Sequence, residues 1–302
     1  MRTVAAYKVD AFTDRALAGN AAGVVLDAAG LTEAEMKAVA REMNLSETAF
    51  FLPPEGKGDV RVRFFTPTGA EVDLCGDATI GGFHLYAREG RAGSSGGVVT
   101  LHQETKAGVL PVHIHLSGGV PERVTMGQAP PKFKPGPPAR RAADALGLPA
   151  NALDAALPVE RAYTGIWTLL VPLRKRADLD AIDAAAVSDS VLALSKEQGI
   201  ASVHAFTRET RERGNAFSAR HFAPALGILE DPVTGTASGA LGAYLVKHRV
   251  QRPGERIVGE QGDAIGRPGR VEVEVDGAPG DPRAVRVGGR AVVSFEGRMV
   301  LP

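Results

Sequence analysis

Glu47 lies in Asn44-Leu45-Ser46-Glu47-Thr48, immediately before the apolar run Ala49-Phe50-Phe51-Leu52. A carboxylate at the mouth of an apolar strand is half desolvated, which raises its pKa toward the range useful for proton transfer. A solvated loop glutamate is the simpler account of Glu47 taken alone. Two longer stretches match each other. Phe65-Thr66-Pro67 leads through Glu71-Val72-Asp73 to Gly76-Asp77-Ala78-Thr79. Phe222-Ala223-Pro224 leads through Glu230-Asp231-Pro232 to Gly235-Thr236-Ala237-Ser238. In each case a glycine opens an apolar helix, GDATIGGFHLY in one half and GTASGALGAYL in the other.

Such a turn leaves the first backbone N–H groups of its helix without intrahelical partners. Small side chains let an anion approach them, and the helix dipole favours negative charge there. Gly76, Asp77, Ala78, Gly235, Thr236 and Ala237 are therefore candidates for holding a small carboxylate-bearing molecule. Helix capping is the simpler account of Asp77 and Asp231, since Asp caps well. The repeat adds weight to the binding reading, because both helix mouths would converge if the halves pack with pseudo-twofold symmetry.

The elements that must carry these residues are short. Alternating or apolar runs predict many strands, and Val271-Glu272-Val273-Glu274-Val275 has one wet face. Thr32-Glu33-Ala34-Glu35 fits a capping box, followed by Met36, Val39, Ala40 and Met43 at helical spacing. Charge-poor stretches at about 77–89 and 236–248 read as buried helices. Shorter helices are expected at 142–146, 180–185 and 188–197. The Pro-rich stretch 129–139 reads as a surface connection.

Composition narrows the function. The 302 residues carry 35 Lys plus Arg against 35 Asp plus Glu, so no net field exists to hold nucleic acid or an anionic membrane. A single cysteine, Cys75, can form no internal disulfide and no thiolate metal site. With no signal-like apolar segment, a cytoplasmic protein is expected. His113 and His115 share a strand face without a third ligand. The glycines of 259–269 fit a tight loop and match no phosphate-binding motif. No cofactor and no metal is expected.

The combination resembles the PhzF-like family of phenazine biosynthesis, within the diaminopimelate-epimerase-like fold. VDAFTDRALAGNAAGVV, NLSETAFF, FFTPTGAEVDLCGDATIGG, RHFAPALGILEDPVTGTASGALGAYL and EQGDAIGRPG carry the resemblance in family order. It implies an α+β protein of two pseudo-symmetric domains, each a mostly antiparallel, barrel-like sheet around a central helix. The expected boundaries are 1–118 with a returning strand at 288–302, and 119–287. The active site is expected between them.

By the same resemblance the catalytic glutamate falls on Glu47, acting as base then acid in a cofactor-free isomerisation of a small carboxylic acid. Asp231 and Thr236 fall on the family's polar motif near the reacting atoms. Gly76, Asp77, Gly235 and Thr236 match the helix-mouth positions that hold the substrate carboxylate. A homodimer is also implied. Asp77 departs from the family's usual histidine, which leaves the substrate open.

Two other functions fit the same residues. A two-cysteine epimerase is excluded by the cysteine count, but a Cys75/Thr234 dehydratase or epimerase-like enzyme of related fold is not. A non-catalytic small-acid-binding protein is the alternative from another class.

Overall fold

Each half of the chain wraps a mixed, largely antiparallel sheet around one small-residue helix. The computed structural model describes residues 2–94 and 96–301. One compact unit runs to Gly127 and takes up the chain again from Gly288; the other is Gln128–Val287.

The first unit contains β1 (Thr3–Ala11), β2 (Asn20–Val25), α1 (Glu33–Met43), β3 (Thr48–Leu52), β4 (Val60–Phe65) and the two-residue β5 (Glu71–Val72). These are followed by α2 (Gly76–Arg88), β6 (Gly97–Thr105), β7 (Gly108–Ser117) and β8 (Val120–Gly127). The late strand Ala291–Val300 pairs antiparallel with β1, and the order continues through β2, β3, β4, β6, β7 and β8. Of these pairings, β2–β3 and β4–β6 are parallel. Thr32 and Glu35 close the expected capping box, and α1 lays Met36, Val39 and Ala40 on Val25, Phe50 and Phe65.

Helix α2 packs against β1, β2, β3, β7 and β8, and its glycines are what let it come so close. A Cβ on Gly82 would stand 2.7 Å from the Phe51 ring, and one on Gly81 would stand 3.2 Å from Val9. A helix this deeply enclosed shows no polar stripe, because it has no wet side to present.

The second unit contains β9 (Lys132–Pro135), α3 (Ala139–Ala145), β10 (Glu160–Tyr163), β11 (Trp167–Leu173), α4 (Arg176–Asp180), α5 (Ala184–Gln198), β12 (Ser202–Thr207) and β13 (Phe217–Ala223). Then come β14 (Ile228–Asp231), α6 (Gly235–Lys247), β15 (Arg256–Gln261), β16 (Gly269–Ala278) and β17 (Asp281–Gly289), before the late strand, β18 (Ala291–Val300). The pairing runs β9, β10, β11, β12, β13, β15, β16, with β11–β12 and β13–β15 parallel. Arg286 of β17 reaches Glu274 and Asp276 of β16. The two parallel steps, the short side strand (β5 or β14) and the enclosed helix recur in the same places, so the internal repeat is structural. Helices α3 and α5 cover the outer face of β11 and β12 through Ala142, Leu146, Val191 and Leu194.

Three local expectations are corrected. Strand β8 pairs with β7, so the chain leaves the first unit after Gly127, not after residue 118. The stretch 180–185 is not one helix: α4 ends at Asp180, and Asp183 caps α5 by accepting from the N–H groups of Ala185 and Ala186. The Pro-rich stretch contains β9, an edge partner of β10. Among the described residues, no helix is long and apolar enough to cross a membrane.

A buried ion pair anchors β13 to β14. Arg220 forks onto Glu230 at 2.8 and 2.7 Å, and also donates to the carbonyls of Leu179 and Ile182.

Candidate active site

Two chain segments bring Glu47, Cys75 and Asp77 together in the first unit. Glu47 ends the loop after α1 and is held by its carbonyl, which accepts from the Gly23 N–H at 2.9 Å. Cys75 is the N-cap of α2 in extended conformation, and Asp77 lies in the first turn. The Cys75 thiol sulfur stands 2.6 Å from Asp77 Oδ1 and 3.3 Å from Glu47 Oε2. Glu47 is half-buried, whereas Cys75 and Asp77 are buried.

Burial pushes the Cys75 thiol well above its ordinary range, and the carboxyls of Asp77 and Glu47 push it further. The Asp77 carboxyl also rises because it is buried, against the opposing pull of the thiol and of nearby backbone N–H groups. Burial therefore favours the protonated form of Asp77 and disfavours a thiolate at Cys75. Glu47, Cys75 and Asp77 offer ligand atoms all within 4.8 Å of one another, a spacing a metal could use. The positive end of α2 opposes a cation there. His113, paired with Thr100 at 2.9 Å, joins no such group among the described residues.

The second mouth is built differently. Thr234 is the N-cap of α6, and its hydroxyl donates to Asp231 Oδ2 at 2.5 Å. Gln261 binds the mouth from β15: its amide oxygen accepts from the Thr234 N–H, and its NH2 donates to Thr234 Oγ1 and the Asp231 carbonyl. Gly262 makes that placement possible, since its φ of 87° brings its Cα against the carbonyls of Arg267 and Pro232. Thr236 is half-buried, and its carbonyl accepts from Thr164 Oγ1 at 2.9 Å. Gly235 and Ala237 complete the turn, the Gly235 carbonyl accepting from Gln128 at 3.1 Å. Neither Asp77 nor Asp231 is the N-cap of its helix; Cys75 and Thr234 hold those positions, and neither side chain caps.

Sequence reasoning missed Gln261 and a buried imidazole pair. His204 of β12 and His221 of β13 are cross-strand partners, with Nδ1 atoms 3.2 Å apart, and His221 is in turn paired with Asp231. Matching Phe65 with Phe222 by register places Ala49 and Phe64 of the first unit where the second has His204 and His221. It also sets Ser202 at the place of Glu47. No local pattern signals such a pair, because its two members meet only through strand register.

Burial holds His221 down at about 3 and His84 at about 4, and keeps His204 well below its usual value, aided by His221. Unfolded histidine titrates near pH ~6.5. Below that pH the unfolded chain takes up protons that the native chain refuses, so stability is full above it and falls with falling pH. Each such histidine contributes up to about 1.4 kcal/mol per pH unit. Urea midpoints at pH 7 and 5 should show this loss, reduced in a His204→Ala/His221→Phe double variant. An equal loss in both proteins would acquit the pair.

The comparisons agree with this architecture. The model of the phenazine biosynthesis-like protein family matches residues 9–297. The chain belongs to that family. An uncharacterized isomerase of Deinococcus radiodurans is 41% identical over 301 residues, covering 96% of this chain and 92% of the relative. A trans-2,3-dihydro-3-hydroxyanthranilate isomerase of Pseudomonas aeruginosa is 31% identical over 296 residues, covering 97% and 98%. The crystal structure of a PhzF-family protein from Bacillus anthracis superposes with a TM-score of 0.88 at 35% identity, covering 100% of both chains. The two-unit α+β architecture is thus the epimerase-like fold expected above. Its isomerase relatives make this family member an isomerase.

Proposed function

We propose that this isomerase needs no cofactor and shifts a proton within a small carboxylic acid, with Glu47 as base and then acid. One observation carries the reading: the Glu47 carboxyl reaches the mouth of α2, 3.3 Å from Cys75 and beside the buried Asp77. Each unit is assigned its own carboxylate-binding mouth, the backbone N–H groups at Gly76–Ala78 of α2 and those at Gly235–Ala237 of α6, where the helix dipole favours an anion. Asp231 and Thr236 supply the polar contacts of the α6 mouth. The Pseudomonas relative, an isomerase of a hydroxyanthranilate, supports the substrate class. A thiolate mechanism fits less well, because the environment of Cys75 keeps its proton on.

The test is a screen of small carboxylic acids for C–H exchange in heavy water, which detects proton abstraction without knowledge of the product. Exchange in none of them, with tight binding of some, would leave only an acid-binding protein. Asp77 is expected to tune which acids bind: Asp77→His should fold normally and change the set of exchanging acids. The same acids at the same rates in Asp77→Ala would reduce Asp77 to a structural role.

A further inference from the structure

The N-cap side chains of the two central helices do the same unusual thing. An N-cap hydroxyl ordinarily accepts from the helix's own N–H groups. Neither Cys75 nor Thr234 makes such a cap; each donates to a neighbouring aspartate, Cys75 to Asp77 at 2.6 Å and Thr234 to Asp231 at 2.5 Å. The first unit adds a second acceptor, since Glu47 Oε2 is 3.3 Å from the same sulfur. A thiol has one proton to donate, and two carboxyl groups stand within its reach.

We propose that Cys75 is a positioning residue whose single S–H is shared between the carboxyl groups of Asp77 and Glu47. The inference rests on Glu47 being the proton-transfer group. When Glu47 is ionised and Asp77 protonated, the S–H turns to Glu47; when Glu47 has taken a proton, it turns back to Asp77. Turning the S–H exchanges one hydrogen bond for another; the proton that Glu47 takes comes from the substrate C–H, and the sulfur never becomes a nucleophile. The sulfur therefore orients the base and links its protonation to that of Asp77. Burial of the thiol suits this role, because a thiolate would have no proton to share.

The chain has one cysteine, so its infrared S–H stretching band has a single source. In the unmodified, ligand-free protein the band should be broad and displaced to lower frequency, as for a thiol donating to a carboxyl oxygen. Asp77→Asn and Glu47→Gln should each move it. A band at the position of a free thiol, or one that neither substitution moves, would overturn the proposal. This arm uses no substrate, so it stands apart from the isomerase reading, which fails if no acid exchanges. On an acid that does exchange, Cys75→Ala should lower kcat by about tenfold with little change in KM, the scale of one hydrogen bond to a charged group. Cys75→Ser, which keeps a donor, should recover part of that loss. A rate in Cys75→Ala equal to the unmodified protein, or Cys75→Ser no better than Cys75→Ala, would also overturn it.

Discussion

Glu47→Gln should reduce exchange of a substrate C–H with heavy water by at least about 10²–10⁴-fold, the usual contribution of a positioned acid–base group. The amide keeps the size of the side chain but cannot accept a proton. Binding should survive, because the carboxylate anchor is assigned to backbone N–H groups that the substitution leaves in place. Isothermal titration of the same acid should thus give a Kd within a few-fold of the unmodified protein. Cys75→Ser should lose far less exchange than Glu47→Gln. The opposite pattern, with Glu47→Gln active and Cys75→Ser dead, would discard the glutamate mechanism and promote the Cys75/Thr234 dehydratase.

Arg220→Met should destabilise the second unit by about 3–5 kcal/mol, the cost of stranding one partner of a buried ion pair. Side-chain exposure is 7% for Arg220 and 4% for Glu230, so water cannot take over the lost contact. The guanidinium also serves the carbonyls of Leu179 and Ile182, at 3.0 and 2.6 Å, which ties the end of α4 to the sheet. Adding Glu230→Leu removes the stranded charge and should regain most of the loss. Denaturant midpoints of the single and double variants measure both effects. Equal midpoints would mean that the charge is not what costs. Because Glu230 adjoins Asp231 on β14, the single variant should also disturb the α6 mouth.

The fold was legible wherever its cause was local. The α1 capping box needs only Thr32 and Glu35, and both enclosed helices announce themselves by small apolar residues on every side. The break at 181–183 was missed because a helical composition continues across it, and only the Asp183 cap separates α4 from α5. The boundary at Gly127 depends on β8 pairing with β7, a choice that alternating hydrophobicity does not record. At the site, Glu47, Asp77 and Asp231 could be singled out as candidate acids from their neighbours. Their partners could not: the turn of Cys75 toward two carboxyls, the reach of Gln261 from β15 and the His204–His221 pair all depend on register or on χ angles.

Strand β1 lies between β2 and β18, with Lys8 opposite both Gly23 and Phe295. On the ribosome, every residue of the second unit leaves the exit tunnel before β18 does. The second unit is one unbroken stretch and can fold as it emerges, whereas the first must wait with the outer edge of β1 unpaired. Nascent chains that end the protein at Val287 and continue into a linker long enough to fill the exit tunnel should therefore hold a protected second unit beside an open first one. For as long as translation takes, that edge is a place for chaperones or for aggregation.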